Sequence, residues 1–344
     1  PRISRLLKQN IKEQAINLFL RARNQMNNTK ECIYVGYDST NFNTNAYGIE
    51  LADYGHPKVD EGLPQYNLAY AVNQKDSTPL FYELYDGSVI DNTELEIMLE
   101  EAKEFGHEKL GVLMDRGYIS EKNIKALRTK GYEYILMMKQ NQRICQEIIE
   151  EYGAAVQSLE GYYIGEHGVY GTTVKKQLYG QETNIHVYYD DIRASEEKVA
   201  LMSRYETWEK EIEKKVAKRI ATEGEMKKYR KVFKLKYDQN GYLVAYQRNS
   251  RYIKEEIRNL GFFFIITSEE MSTSKALDIY RGRDNIEKMF RSLKSGIDFN
   301  KARVHTTESL KSKVFVTFIA MIVRNELFQK AEELRKKNRK AYTV

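Results

Sequence analysis

Three acidic residues stand where a fold could hold carboxylates rigidly. Asp38 and Asp115 each close a short apolar run, CIYVGYDS and GVLMDRGY, where a strand delivers side chains to the lip of a sheet. Glu287 lies among cations in YRGRDNIEKMFRSLKSG, Tyr280 to Gly296, which has helical spacing. With Tyr280 at zero on a wheel of about 100° per residue, Arg283, Glu287 and Lys294 fall at about −60°, −20° and −40°. Ile279, Ile286, Phe290, Leu293 and Ile297 gather near about −110°, so the polar stripe directly borders the core stripe. Three oxygen donors on rigid elements are the kit for holding hard divalent cations. Each residue also has a plainer reading. Asp38 and Asp115 could be strand-end caps, Arg283 and Glu287 an i,i+4 pair on a solvated face, and Tyr280 simple packing.

The elements that must position these groups follow from the patterning. Residues 1–30 form an N-terminal helical segment in which Leu6, Leu7, Ile11, Ile16, Leu18 and Leu20 recur at roughly helical intervals. Residues 31–140 read as the first part of a core. Strands are expected at CIYVGYDS, Tyr66–Val72, Leu80–Tyr85, GVLMDRGY and Tyr132–Met138, with helices from about Thr93 to Phe105 and after a Ser120 cap. From about 141 to 260 the character changes. Hairpins are expected between Tyr162 and Tyr189 and a Glu/Lys-rich helix between Ala194 and Arg230, and Asn240-Gly241 joins two alternating runs. This stretch reads as an inserted α+β subdomain. Residues 261–330 return to the core through GFFFIIT, the helix carrying Glu287 (capped by Ser272 or Thr273) and an apolar helix over Leu310–Phe328. Residues 331–344 are a basic C-terminal tail. The order implies an α/β fold, a mixed sheet covered by helices.

Composition narrows the partners. Charged residues make up 30% of the 344, and 55 Lys+Arg interleave with 49 Asp+Glu for a net charge of +6. That mild basic excess suits nucleic acid without requiring it. Twenty-six Tyr and 4 Pro indicate an ordered chain. Cys32 and Cys145 are too few for a disulfide framework and lack zinc-site spacing, so reduced thiols in a cytoplasmic protein are expected. The run Val314–Val323 is too short to span a bilayer, and no membrane partner is expected. The chain begins at Pro1 without Met, as a domain cut from a longer protein would.

The spacing Tyr280-x2-Arg283-x3-Glu287-x6-Lys294 resembles the YREK signature of bacterial insertion-sequence DDE transposases, in the insertion-sequence-four superfamily. YDSTNF around Asp38 resembles that family's first-Asp motif, and MDRGYISEKNIKAL around Asp115 its second. KARVHTTESLKSKVFVTFIAMIV resembles the usual sequel. The likeness covers residues 31–140 and 261–328. It implies an RNase H-like core interrupted by the long insertion, although relatives carry a largely β insertion and the Glu/Lys-rich helix departs from that. It further implies metal-dependent DNA end cleavage and strand transfer, with Asp38, Asp115 and Glu287 as catalytic ligands of two Mg²⁺ ions, Mn²⁺ substituting. Tyr280, Arg283 and Lys294 would contact DNA, and Trp208 could receive an unstacked base, although packing is the favoured reading of a lone Trp. His56 and Lys58 are weaker phosphate candidates. The partners implied are double-stranded DNA, both transposon ends and target, and a second copy in a synaptic homodimer in the bacterial cytoplasm. The rival readings are an RNase H-like nuclease or resolvase, and a decayed DNA-binding protein.

Overall fold

The computed structural model describes residues 6–7, 11–26, 32–55, 62–89, 91–107, 109–158, 162–218, 224–297, 299 and 301–338. His56, Lys58 and the last six residues of the expected tail lie outside them. The chain divides into two units, one of residues 1–138, 175–185 and 265–344, the other of residues 139–174 and 186–264.

The first unit is built on strands β1 (Ile33–Asn43), β2 (Gln65–Asn73), β3 (Pro79–Asp86), β4 (Leu110–Met114) and β5 (Glu133–Met137), in the spatial order β3-β2-β1-β4-β5. β1, β2 and β3 pair antiparallel, whereas β1, β4 and β5 run parallel. A further strand, β11 (Phe262–Thr267), pairs antiparallel with β5 through Ile265–Thr267. This mixed order is the expected RNase H-like sheet. The central strands are buried along nearly their whole length, as strands covered on both faces must be. The connections are α1 (Glu13–Met26), α2 (Asp91–Glu104) and α3 (Glu121–Lys130), the last capped by Ser120, whose hydroxyl accepts the Asn123 N–H at 3.2 Å.

The helix expected to carry Tyr280 to Lys294 is not continuous. It is three pieces: α7 (Thr273–Arg281), capped by Ser272; α8 (Asp284–Arg291); and a π-turn over Ser292–Gly296. The break falls at Gly282, where a Cβ would lie 2.2 Å from the Gln74 side chain. Asn285 then donates to the Gln74 carbonyl at 2.8 Å and fixes the start of α8. The ideal wheel is therefore wrong in detail, because it treats as one helix what a close approach to β2 divides. A final helix, α9 (Thr307–Asn338), runs beyond the expected apolar stretch. Phe290 of α8 and Phe318 of α9 both meet Tyr70 of β2, at 5.9 Å between ring centroids.

The second unit holds α4 (Arg143–Ser158), β6 (Tyr163–Ile164), the long α5 (Asp191–Lys218), the hairpin β9 (Phe233–Tyr237) and β10 (Leu243–Arg248), and α6 (Ser250–Asn259). Strands β7 (Val169–Leu178) and β8 (Gln181–Tyr189) belong to it in part and give their tip to the first unit. The β9–β10 turn uses Asn240-Gly241, with Gly241 at φ +78°. A core of Tyr205, Ile212, Met226, Tyr229, Phe233, Leu243 and neighbours fills the space beneath α5.

Candidate active site

The register of β1 decides which way Asp38 points. Side chains two apart on a strand share a face. Gly36 faces Ile286 of α8, where an added Cβ would come within 3.8 Å, and Thr40 accepts a hydrogen bond from Lys294 Nζ at 2.7 Å. Asp38 lies between them on the same face. Its cross-strand partner is Tyr70, which packs against Phe290, one helical turn from Glu287. The opposite face of β1 is occupied by Tyr37, whose hydroxyl donates to buried Glu83 at 2.9 Å.

Asp115 follows from the parallel pairing. The last paired residues are Gly36 and Leu113, so Asp38 and Asp115 stand two positions further along adjacent strands. Each carboxylate also accepts from the next backbone N–H, Ser39 at 2.9 Å and Arg116 at 2.6 Å. Asp115 is thus a strand-end cap as expected, whereas Asp38 is not: β1 runs on to Asn43, paired with β2, so Asp38 lies in mid-strand just past the end of the parallel β1–β4 ladder.

Arg283 ties the helix to these acids. It donates to Glu287 Oε1 at 2.6 Å, the i,i+4 pair of the plainer reading. The Arg283 side chain is only 17% exposed against 51% for Glu287, so the pair joins a largely covered cation to an exposed acid. Burial pulls the guanidinium pKa down, and Tyr280, Asp115, Glu287 and Asp38 together outweigh that and raise it. One half-buried cation therefore feels all three acids. Tyr280 is buried, which pushes its phenol up to about 12, with Arg283 pulling the other way and Asp115 and Glu287 adding to the rise. Its hydroxyl stays protonated and can donate.

Lys294 reaches β1 from the π-turn, where the Ile297 N–H bonds the Ser292 carbonyl at 3.1 Å. The extra residue in this turn re-aims the side chain. Its ammonium sits 5.3 Å over the Phe42 ring as well as on Thr40. Thr40 and Phe42 are supporting residues that motif spacing alone does not single out. A signal for them exists, since both share Asp38's parity in DSTNF.

The donor set fits a hard cation. All three carboxylates offer oxygen ligands, and all three act on the Arg283 guanidinium. Among the described residues the triad's oxygens are not all drawn within 4.8 Å of one another, the closure at which one ion would take every ligand. Asp38 stands between the other two in the sequence of elements β4, β1 and α8. Trp208 is not part of this group. It belongs to the second unit and packs against that unit's core, edge-on to Tyr229 at 5.7 Å and under the Arg204 guanidinium at 5.4 Å.

Residues 35–323 match a family model described as a transposase DDE domain. No curated protein matches the chain. Among solved structures, the chain is similar to a piggyBac transposase in a synaptic complex with hairpin DNA, at 8% identity and a TM-score of 0.40. That match covers 91% of this chain and 51% of the other, so the chain spans about half the length of that transposase. The family match takes in both aspartates, the α8 glutamate and Arg283, and this chain belongs to the transposase DDE domain family.

Proposed function

We propose that the protein is a transposase of the YREK group of the insertion-sequence-four superfamily, cutting DNA at element ends and joining the freed ends to target DNA. Asp38, Asp115 and Glu287 are its catalytic carboxylates. The observation that carries this reading is the gathering of three acids, from β1, β4 and α8, around the half-buried Arg283 within the matched span.

The three carboxylates would hold two divalent ions, Mg²⁺ or Mn²⁺ in its place, with Asp38 shared and Asp115 and Glu287 each completing one side. When bound, such ions activate an oxygen nucleophile and stabilise the leaving oxygen of an in-line phosphoryl displacement. The chain's own residues do the rest. Arg283 spans acid and substrate, its planar fork able to grip phosphate oxygens while Glu287 fixes its orientation. Lys294, anchored on Thr40 and Phe42, places a second positive charge on the same strand face. Tyr280 offers a protonated hydroxyl for a phosphate oxygen or sugar. In cleavage, water oxygen bonds to phosphorus and the 3′ oxygen departs with a proton. In joining, the oxygen of that 3′-hydroxyl bonds to a target phosphorus in place of water, and the target strand's own 3′ oxygen departs with the proton. Both steps have the same geometry, so one site serves both.

The substrates are double-stranded DNA ends and target. Joining two ends requires them together, so the working form is a homodimer in a synaptic complex, in the bacterial cytoplasm at the nucleoid. Among the described residues no helix is long and apolar enough to cross a membrane. The test is Mg²⁺-dependent nicking and strand joining by the purified protein beside Asp115→Asn. Nicking and joining lost in the variant support the reading. Nicking without joining would convert it to a nuclease or resolvase, and absence of nicking in the unsubstituted protein would leave a DNA-binding relic.

A further inference from the structure

The segment between the π-turn and α9 has a backbone that no turn explains. Among the described residues three non-glycine residues have positive φ: Ser77, Tyr179 and Arg303. Ser77 turns β2 into β3 and Tyr179 turns β7 into β8, where such a conformation is routine. Arg303, at φ +53°, turns no hairpin. It sits in an irregular stretch, 301–306, where Lys301, Arg303 and His305 are exposed, Ala302 is buried and Val304 is half-buried.

This stretch is pinned from beneath. Phe299 is buried edge-on against Phe42 at 5.3 Å, and Lys313 lies 5.9 Å over its other side while donating to the Ala302 carbonyl. The His305 carbonyl crosses so close to Gly48 that a Cβ there would sit 2.4 Å from it. The Gly48 carbonyl accepts the Thr307 N–H at 3.2 Å, and Thr307 Oγ1 accepts the Glu50 N–H at 2.9 Å. The outward side chains therefore rise from a fixed base. That base adjoins the candidate site, because Phe42 carries Phe299 on its edge and the Lys294 ammonium on its face. Lys301 and Arg303 are thus exposed cations on a segment anchored through Phe42 to the strand that carries Asp38 and receives Lys294.

We propose that residues 301–305 form a rail that tracks the sugar-phosphate backbone of the DNA strand leaving the carboxylate site, with Lys301 and Arg303 each holding a phosphate and the His305 ring at its far end. A rigid, open, cationic edge suits a polyanion that slides into register better than it suits a small anion, which would need an enclosing pocket. The left-handed turn at Arg303 is then the device that keeps the guanidinium outward while Ala302 stays buried beside it. The inference rests on the DNA reading above and extends it to residues outside the YREK signature.

The test uses the full chain and a mixed-sequence blunt DNA duplex of a few helical turns, with affinity measured across a salt series. Arg303→Gly removes the guanidinium but suits the backbone, since glycine adopts positive φ without cost, so its melting temperature stays level or rises. Lys301→Gln changes an exposed side chain only. Each should make the log–log salt dependence shallower by about one unit, the change that follows when one cation no longer neutralises a phosphate. Neutral methylphosphonate links scanned along one strand should weaken binding of the unsubstituted protein at two neighbouring positions, and each variant should lose its own position. If the unsubstituted protein binds with steep salt dependence and both variants share its slope and its methylphosphonate pattern, the rail is wrong and the transposase reading stands. If the unsubstituted protein neither binds nor nicks DNA, that reading falls and takes the rail with it.

Discussion

The two units spend their charges differently. In the second, acids and bases meet in pairs along α5 and its surroundings: Arg193 with Glu197 at 2.7 Å, Lys228 with Glu211 at 3.1 Å, Arg248 with Glu209, and Arg258 with Glu150 at 3.2 Å. Each acid there has its own cation, the pattern of a solvated surface whose pairs contribute little individually. In the first unit, Asp38, Asp115 and Glu287 crowd one half-buried arginine. Convergence of several acids on one cation, more than acidity or exposure alone, separates a site from a surface here.

The sharpest way to break this contrast is to remove one acid from each kind of setting. Glu287→Gln should reduce nicking to background while the far-ultraviolet circular dichroism spectrum and melting temperature hold, because the side chain is half exposed and outside the core. Glu209→Gln, in the second unit, should leave nicking within about twofold and shift stability by less than about 1 kcal/mol. Equal effects from the two would erase the distinction.

Trp208 tests the second unit from the other side. Its ring packs against Tyr205 and Tyr229, so Trp208→Ala should destabilise that unit by about 3 kcal/mol, read by chemical denaturation. Trp208→Phe should recover most of the loss and leave nicking and joining intact. Joining abolished by Trp208→Phe in a protein of unchanged stability would instead give the residue a base-receiving role and make the second unit part of the chemistry.

Much of this was legible in the sequence because it depends on short-range pattern. The β strands announce themselves as apolar runs, although β1 continues past Asp38 to Asn43, and the Asn240-Gly241 turn as a fixed backbone requirement. What the pattern could not show was long-range packing. The break in the YREK helix arises from Gln74, distant in sequence, pressing on Gly282, and the π-turn that carries Lys294 to Thr40 is a local departure from the 3.6-residue period on which the wheel rests. The association of the acids was likewise invisible until β1 and β4 were paired in register. The plainer readings were right about the Asp115 cap and the Arg283–Glu287 pair and wrong about Asp38, which lies in mid-strand; what they missed was that Arg283 is largely covered and meets more than one acid.

Acid should weaken both units by comparable amounts, a smaller effect than the core truncation. His107 in the first unit and His186 in the second are buried, which pulls each pKa from 6.5 down to about 4. The unfolded chain takes up protons near pH 6.5, while the folded chain resists until about pH 4. Stability is therefore full above about pH 6.5 and falls as the pH drops toward 4, by about 1.4 kcal/mol per pH unit for each histidine. Fluorescence of the sole tryptophan reports the second unit, so comparing it with whole-chain circular dichroism at pH 7 and pH 5 separates the two. A His107→Leu variant should lose the pH dependence of the circular dichroism transition in part and leave that of the fluorescence unchanged.

The smallest expected effect distinguishes charge from placement at Lys294. Its ammonium is held by the Thr40 hydroxyl at 2.7 Å and the Phe42 face at 5.3 Å, so two single changes separate its roles. Lys294→Met keeps the stem and deletes the charge. If the ammonium neutralises one phosphate, the log–log salt slope of DNA binding should become shallower by about one unit, with folding nearly unchanged. Thr40→Val keeps the shape of the strand and the charge of Lys294 but removes the hydroxyl acceptor. The salt slope should then stay as it was, while nicking slows by a few fold, because a lysine without its anchor still attracts DNA but no longer fixes where the phosphate sits. Measured together, the double variant should bind like Lys294→Met and nick no more slowly than it, since Thr40 acts only through the lysine. An additive loss in the double variant would mean that Thr40 serves Asp38 or the strand itself, independently of the π-turn laid across it.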